Sequence, residues 1–449
     1  MMDILPTRHM FRTTLLIMLG VVACSLRAGA QDGIASGASR QEPAAAQGAA
    51  AAASPNRWMV MNDGVLFATL NHQGSDRGET DVRSQNWFMS MAQHKLGPGQ
   101  LTLKGMFSAD PFTVGTRGYS ELFQMGEAYS PTGQTCVPPS VARTDCVENV
   151  DRQHPHDLFM QLAGAWRVPL GGSTGLTFSG GPVGEATLGP VAFMHRQSAS
   201  ENPAAPLAHH TLDSTHIAEG VLAVSLDHGP WTVEASTFHG REPDQARYNI
   251  ETGALDSWAA RVWFKPSPSW LAQVSYGFIE APEQLEPGNE RRTTASVSWT
   301  ETVGSDYLAV TAAVGHNQRV FDTNTTAFLS EATLHHGRNS VYARVEVLQV
   351  TSEHLLFPSV VHTPHPGELI DVLGAYTAGA VRNVGNSGPL EVGIGGDATF
   401  YTVPSRLASS TQTTPYGSHP VSLHLFLRIR PRAPAMGHMW NTSMPRQGM

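Results

Sequence analysis

The sequence predicts an all-β chain, a transmembrane antiparallel β-barrel of about 16 strands with long outer loops. Three observations carry this expectation. Charged residues make up 15% of the 449, against roughly 25% in an ordinary soluble domain. Apolar and polar residues alternate through many segments of strand length. The links between those segments are short and long by turns. The balance is acidic, with a net charge of −9, and no basic block could track a phosphate backbone, which argues against nucleic-acid binding.

From the N-terminus, Arg8 and Arg12 precede an apolar run from Leu15 to Leu26, and Ala28-Gly29-Ala30 follows it. This pattern predicts a signal peptide over residues 1–30. The run is shorter than the ~20 apolar residues of a spanning helix. Val21-Val22-Ala23-Cys24 resembles a lipobox, so a lipidated Cys24 is the competing expectation. Either version exports the chain. Residues 31–56, rich in Ala, Gly, Ser, Pro and Gln, form a disordered lead with nothing to bury. The barrel is expected over 57–431, and a flexible Met-containing tail over 432–449. Cys136 and Cys146 lie in one polar, Pro-rich stretch, where an oxidising compartment favours a loop-stapling disulfide over a pair of metal ligands.

Within the barrel region the period is two. Trp231, Val233 and Ala235 alternate with Thr232, Glu234 and Ser236. Ala272, Val274, Tyr276 and Phe278 alternate with Gln273, Ser275 and Gly277. Ala295, Val297 and Trp299 alternate with Ser296 and Ser298, and Val341, Ala343, Val345 and Val347 with Tyr342, Arg344 and Glu346. Leu423, Leu425, Leu427 and Ile429 alternate with His424, Phe426, Arg428 and Arg430. Side chains on a strand point to opposite faces by turns, so each segment has one lipid-suited and one polar face. On this reading Arg344, Glu346, Arg428 and Arg430 supply charge to the lumen.

Short links are expected at residues 94–98, 169–175, 227–230, 265–269, 303–306, 335–339 and 383–389. Long ones fall at 74–84, 109–151, 184–215, 241–256, 280–290, 317–326, 352–368 and 404–418. Such alternation arises when every second connection faces the same side of a membrane. Trp231, Trp258, Trp270, Trp299, Tyr307 and Tyr342 sit near segment ends, where an aromatic girdle would lie. A secreted soluble sandwich or propeller is the rival, but no repeat of blade length is present and the strands are long for a soluble fold.

The segments DRQHPHDLFMQLAGAW, SGGPVGEATLGPVAFMHRQSASENPAAPLAHHTLDSTHI and YGSHPVSLHLFLRIRP resemble an uncharacterised family of bacterial outer-membrane β-barrel proteins. The resemblance covers most of the chain after the Ala-rich lead. It implies a fold and an outer-membrane location, and no activity. Barrels of this class usually end on an aromatic residue of the last strand, whereas here Pro431 to Met449 continue beyond it.

The chain has 20 histidines, and they cluster. His154, Pro155, His156 and Asp157 place two imidazoles two residues apart, where an extended chain points both the same way. His209, His210 and His216 form a second group, with His195 in the same link. Others fall in outer links at His354, His362, His365 and His419. Imidazole suits copper and zinc, and the alternative is that these are ordinary polar loop residues. The tail carries Met436, His438, Met439, Met444 and Met449, a set that suits copper(I) or is simply a polar tail. Gly171-Gly172-Ser173-Thr174-Gly175 matches a nucleophile-elbow pattern but sits where a hairpin turn is expected. Asp213, Ser214 and His216 have triad residue types at a spacing that seldom gives triad geometry.

The expected function is therefore porin-like, and not enzymatic: passage or binding of a small polar solute or a metal ion, with copper or zinc as candidate ions and no certain cofactor. An outer-membrane hydrolase acting on lipid and a purely structural barrel are the alternatives. The partners are outer-membrane lipid, the solute or ion, and, as a further option, other copies of the chain.

Overall fold

The computed structural model describes residues 57–132, 136, 146–285, 288–319, 323–358, 367–411 and 413–432. The expected signal peptide, Cys24, the Ala-rich lead, the tail residues Met436 to Met449, His362 and His365 lie outside them.

Sixteen antiparallel strands close on themselves. They are β1 (Met59–Gly74), β2 in two pieces (Thr80–Arg83 and Asn86–Leu96), β3 (Gly99–Phe107) and β4 (Phe159–Gly171). Then come β5 (Thr174–Gly184), β6 (Ala218–His228), β7 (Trp231–Phe238) and β8 (Ser257–Ser267). Next are β9 (Trp270–Ile279), β10 (Glu290–Val303), β11 (Asp306–Gln318) and β12 (Thr325–His336). The last are β13 (Asn339–Thr351), β14 (Ile370–Ser387), β15 (Leu390–Thr402) and β16 (Val421–Pro431). Each strand pairs with the next, and β1 pairs with β16 from Leu66 opposite Ile429 to Gly74 opposite Val421. Closure gives every strand two neighbours, which a chain in hydrocarbon needs because no water is there to satisfy an open edge. Among the described residues no helix is long and apolar enough to cross a membrane, so the strands do the spanning.

The seven short links are tight hairpin turns, and several rely on glycine at positive φ, such as Gly172 at 57° and Gly304 at 63°. The longer links gather at the opposite end. Leu222, Val224, Leu226, Val233, Val274, Val297, Leu423 and Leu425 are exposed on the outer face, while Ser225, Glu234, Ser275, Thr294 and Arg428 are buried on the inner one. This inversion of a soluble protein is that of a transmembrane barrel. Trp231, Trp258 and Trp270 stand outward at strand ends, as a girdle requires. Tyr342 and Tyr307 depart from that expectation. Tyr342 is buried inside and its hydroxyl donates to Asp397 at 2.6 Å, and Tyr307 stacks on His335 in the lumen with ring centroids 5.4 Å apart. Both fall on the inward phase of their strands.

The link between β5 and β6 turns into the lumen and crosses it. Its first part is held to β7–β9: Thr187 N–H donates to Ser236 Oγ, and Arg261 donates to the carbonyl of Gly189 at 2.8 Å. Its middle is held by ions. Arg196 pairs with Asp213 at 2.7 Å and with Glu331 of β12 at 2.6 Å, and Arg344 of β13 pairs with the same glutamate at 3.2 Å. Glu201 meets Arg428 and Arg430 of β16, and Glu346 accepts from the backbone N–H of Ala208 at 2.9 Å. The four residues expected to charge the lumen are thus inside it, and each is spent on this loop. Desolvated charges of this kind are tolerable only when fully paired.

The link between β3 and β4 caps the long-loop end. Two small ladders shape it, Tyr119–Ser120 with Arg152–Gln153 and Ala128–Tyr129 with Val147–Glu148. Cys136 and Cys146 are joined as a disulfide with Cα atoms 5.8 Å apart, packed on Ala128 and Leu285. Leu122, Phe123 and Val150 of this cap share an apolar cluster with Leu207 and Leu212 of the inward loop and with Leu329, Leu348 and Leu373 of the wall. The cap and the inward loop therefore form one packed insert.

Candidate histidine site

The insert brings together histidines from two links. His154 from the cap lies with its ring centroid 5.6 Å from that of His210 and 6.3 Å from that of His209. His209 lies 5.4 Å from His210 and 5.1 Å from His216, and His216 lies 6.0 Å from His156. Five rings therefore form one row. The local cause is a one-turn helix, His209–Leu212, followed by the 3₁₀ turn Ser214–His216, which face the row from the inward loop.

Oxygen acceptors orient several of these rings. Nδ1 of His209 donates to Asp213 Oδ1 at 2.8 Å, Nδ1 of His156 to Asp110 Oδ2 at 3.0 Å, and Nδ1 of His216 to the carbonyl of Asp213 at 2.7 Å. Such a bond fixes the tautomer and leaves the Nε2 lone pair as the ligating atom, the arrangement found behind metal-bound histidines. Nε2 of His216 is buried without a hydrogen-bond partner, and so is Nδ1 of His154. His424, elsewhere in the barrel, shows the contrast. Its Nδ1 meets Asp397 and its Nε2 meets Asn71 and Arg83, so both nitrogens are used structurally.

His210 stands at the long-loop end of the row with Glu242 and Glu283, and one ligand atom from each lies within 4.8 Å of the others. Its Nδ1 is 3.5 Å from Glu242 and 3.9 Å from Glu283, and neither ring nitrogen meets hydrogen-bond geometry. Gly126, at φ 124°, makes room for the ring, since a Cβ there would come within 2.3 Å of it.

Burial would lower the pKa of His210, but Glu242 and then Glu283 raise it to about 9. Glu242, against its own burial, falls to about 2 through His210. Burial and the neighbouring imidazoles hold His216 at about 3 and His154 well below the ordinary value. Burial, reinforced by Lys104, holds His195 at about 3. Against the effect of burial, Arg196 and His209 hold Asp213 well below the carboxylate range. The row thus sets a protonated His210 against Glu242 and Glu283 at one end and neutral imidazoles at His154 and His216, so a cation ligated by His210 must displace its proton.

The arrangement differs from the expected one in three ways. His154 and His156 take different neighbours, and the intervening Pro155 belongs to a link without regular structure rather than to a strand. Asp157 pairs with Arg247 at 3.2 Å. His195 stands outside the row, packed edge-on to Trp87 with ring centroids 5.0 Å apart. Glu242 and Glu283 are additions that no sequence pattern marked, since they come from two further links. Ser173 lies in a two-residue hairpin turn, Ser214 Oγ accepts from Arg292, and His216 binds the backbone rather than the carboxylate of Asp213, so neither serine motif assembles a triad.

The row leads into a cavity of about 610 Å³. His195, His216, Met194 and Lys104 line its upper part, and Ser305, Arg338 and Asn386 its end at the short turns.

No family model matches the chain, and no curated protein sequence matches it. Among solved structures it is similar to OprB of Pseudomonas putida, at 11% identity over 84% of this chain and 94% of that one, with a TM-score of 0.48. An anion-selective porin from Comamonas acidovorans matches at 11% identity over 83% and 100%, with a TM-score of 0.45. The trimer form of OmpT, an outer-membrane protein of Vibrio cholerae, matches at 9% identity over 83% and 99%, with a TM-score of 0.44.

Proposed function

We propose that the chain is an outer-membrane barrel that binds a borderline transition-metal ion, zinc or copper(II), and passes it along the histidine row towards the short-turn end. It is not an enzyme on this reading. The observation that carries it is the row itself: five imidazoles running from the His210–Glu242–Glu283 group to the rim of the large cavity. Carboxylate and imidazole together suit these ions. An ion handed between sites needs each step to bind firmly enough to enter and weakly enough to leave. The inward loop supports selective passage over open diffusion, because it occupies the lumen that sixteen strands would otherwise leave for water.

Zinc titration of the detergent-folded protein by calorimetry tests the reading. His210→Ala with Glu242→Gln is expected to weaken binding by about tenfold or more, a loss of about 1.4 kcal/mol or more. Vesicles carrying the wild type should admit zinc faster than vesicles carrying that variant. Equal affinity and equal influx would overturn the proposal.

A further inference from the structure

The lumen contains a second group of donors, of a different chemical kind. Met61, Met89, Met91, Met106 and Met160 are buried together on the inner face of β1–β4, and Met194 of the inward loop packs on them. The ladder registers set the geometry. Met61 of β1 is directly opposite Met91 of β2. One residue pair further along the phase, Asp63 is opposite Met89, Met89 is opposite Met106 of β3, and Met106 is opposite Gln161 of β4. Directly opposed residues have Cβ atoms about 5 Å apart, close enough for two thioethers to share one ion. A register slip after Met106 leaves Met160 without a ladder partner, and it too is buried, at 1% exposure.

Apolar packing alone does not account for the choice of residue. The barrel meets its need for apolar surface with Leu, Val, Phe and Trp on the lipid face. Methionine is instead concentrated here, where six of the eight in the described residues meet. Methionine used to fill irregular gaps leaves little space. These side chains border the large cavity: Met89, Met106, Met160 and Met194 all line it, with His195 and the carboxylate of Asp63 beside them. Lys104, next to Met91 in the register, has Glu185 as its counter-charge.

We propose that Met89, Met106, Met160 and Met194, with His195, form a binding site for a soft monovalent cation, copper(I) or silver(I). Thioether is the softest neutral donor a protein offers and discriminates against zinc, calcium and magnesium. This site is separate from the histidine–carboxylate group and does not require that group to conduct.

Silver(I), added as the nitrate in chloride-free buffer to the full chain in detergent, is the probe. The wild type should bind it stoichiometrically. Met89→Leu with Met106→Leu and Met160→Leu should weaken silver binding by about tenfold or more while leaving zinc affinity unchanged. Met59→Leu, at the exposed start of β1 and not among the side chains that line the cavity, should change neither. Because the triple variant could fail to fold, methyl-labelled methionine resonances of the wild type give a second reading. Silver should move those of Met89, Met106 and Met160 and leave Met59 in place. Absence of stoichiometric silver binding, an unchanged affinity in the folded triple variant, or unmoved lumen resonances would each overturn the site. Loss of zinc binding alone, in the His210 and Glu242 variants, bears on the histidine row and leaves this site standing.

Discussion

The two walls of the lumen hold the inward loop in different ways. On β12, β13 and β16 the wall is ionic: Glu331, Arg344 and Arg428 are each under 4% exposed and reach the loop with charge-assisted bonds. On β1–β4 the wall is methionine, and contact runs through Met194, Ile217 and the edge of His195 on Trp87, with the Gln85 amide donating to the carbonyl of Pro203. The ionic wall fixes where the loop sits, because each charge there is costly unless its partners are in place. The methionine wall leaves space, and the cavity lies against it. Positioning and binding are thus divided between two arcs of one barrel that meet where β1 pairs with β16.

The largest effect should come from Arg196→Ala. It removes the cation that pairs with both Asp213 and Glu331, each 1% exposed, and so breaks two buried ion pairs at once, leaving His209 beside Asp213 and Arg344 beside Glu331. A cost of about 3–5 kcal/mol is expected, read as a lower urea midpoint in the unfolding of the refolded barrel. The loop should also lose its seat, so planar bilayers should show larger conductance steps than the wild type. An unchanged conductance would mean that the loop is positioned by its ends and that the ionic wall is only a source of stability.

Glu201→Gln sharpens the same wall with a smaller change. Glu201 meets Arg428 and Arg430 and accepts from Ser340 at 2.9 Å, but Glu391 also contacts both arginines, at 2.7 Å and 2.6 Å. The amide keeps an acceptor oxygen, and the second glutamate keeps charge balance. A loss of about 1–3 kcal/mol is expected, again from the urea midpoint, with conductance close to that of the wild type. A loss as large as that of Arg196→Ala would show that Glu391 does not share the load.

Much of the wall was legible in the sequence, and so were the two long links, 109–151 and 184–215, that build the insert, but not the course they take. Period-two alternation is a local consequence of the pleat, so Trp231 to Ser236 or Leu423 to Arg430 reveal their faces without reference to any neighbour. The alternation of link lengths likewise follows from threading one sheet back and forth. The course of the inward loop depends instead on Arg196 finding Glu331, 135 residues away, and on Glu201 finding Arg428, 227 residues away. No local rule pairs such residues. The histidines were visible as clusters, but their order in a row was not, because two separate links supply them. Glu242 and Glu283 had no mark at all. The methionines did leave a signal: Met89 and Met91 occupy the phase of β2 that should be polar, and that break in pattern is readable once the strand's inward face is known.

The smallest expected effect is on the methionine wall, and it tests the division directly. Met106→Leu replaces a buried side chain at 3% exposure with one of nearly equal volume, and it removes no hydrogen bond or charge. If the methionines serve only as packing, leucine serves as well. A well-conserved volume costs under about 1.5 kcal/mol, so the urea midpoint should hardly move and the conductance should stay that of the wild type. Silver affinity should nevertheless fall, because a methylene-rich side chain of the same bulk has no lone pair to offer. A stability loss comparable to that of Arg196→Ala, with silver affinity intact, would make this wall structural like the ionic one. Metal binding would then rest on the imidazoles and carboxylates of the insert alone.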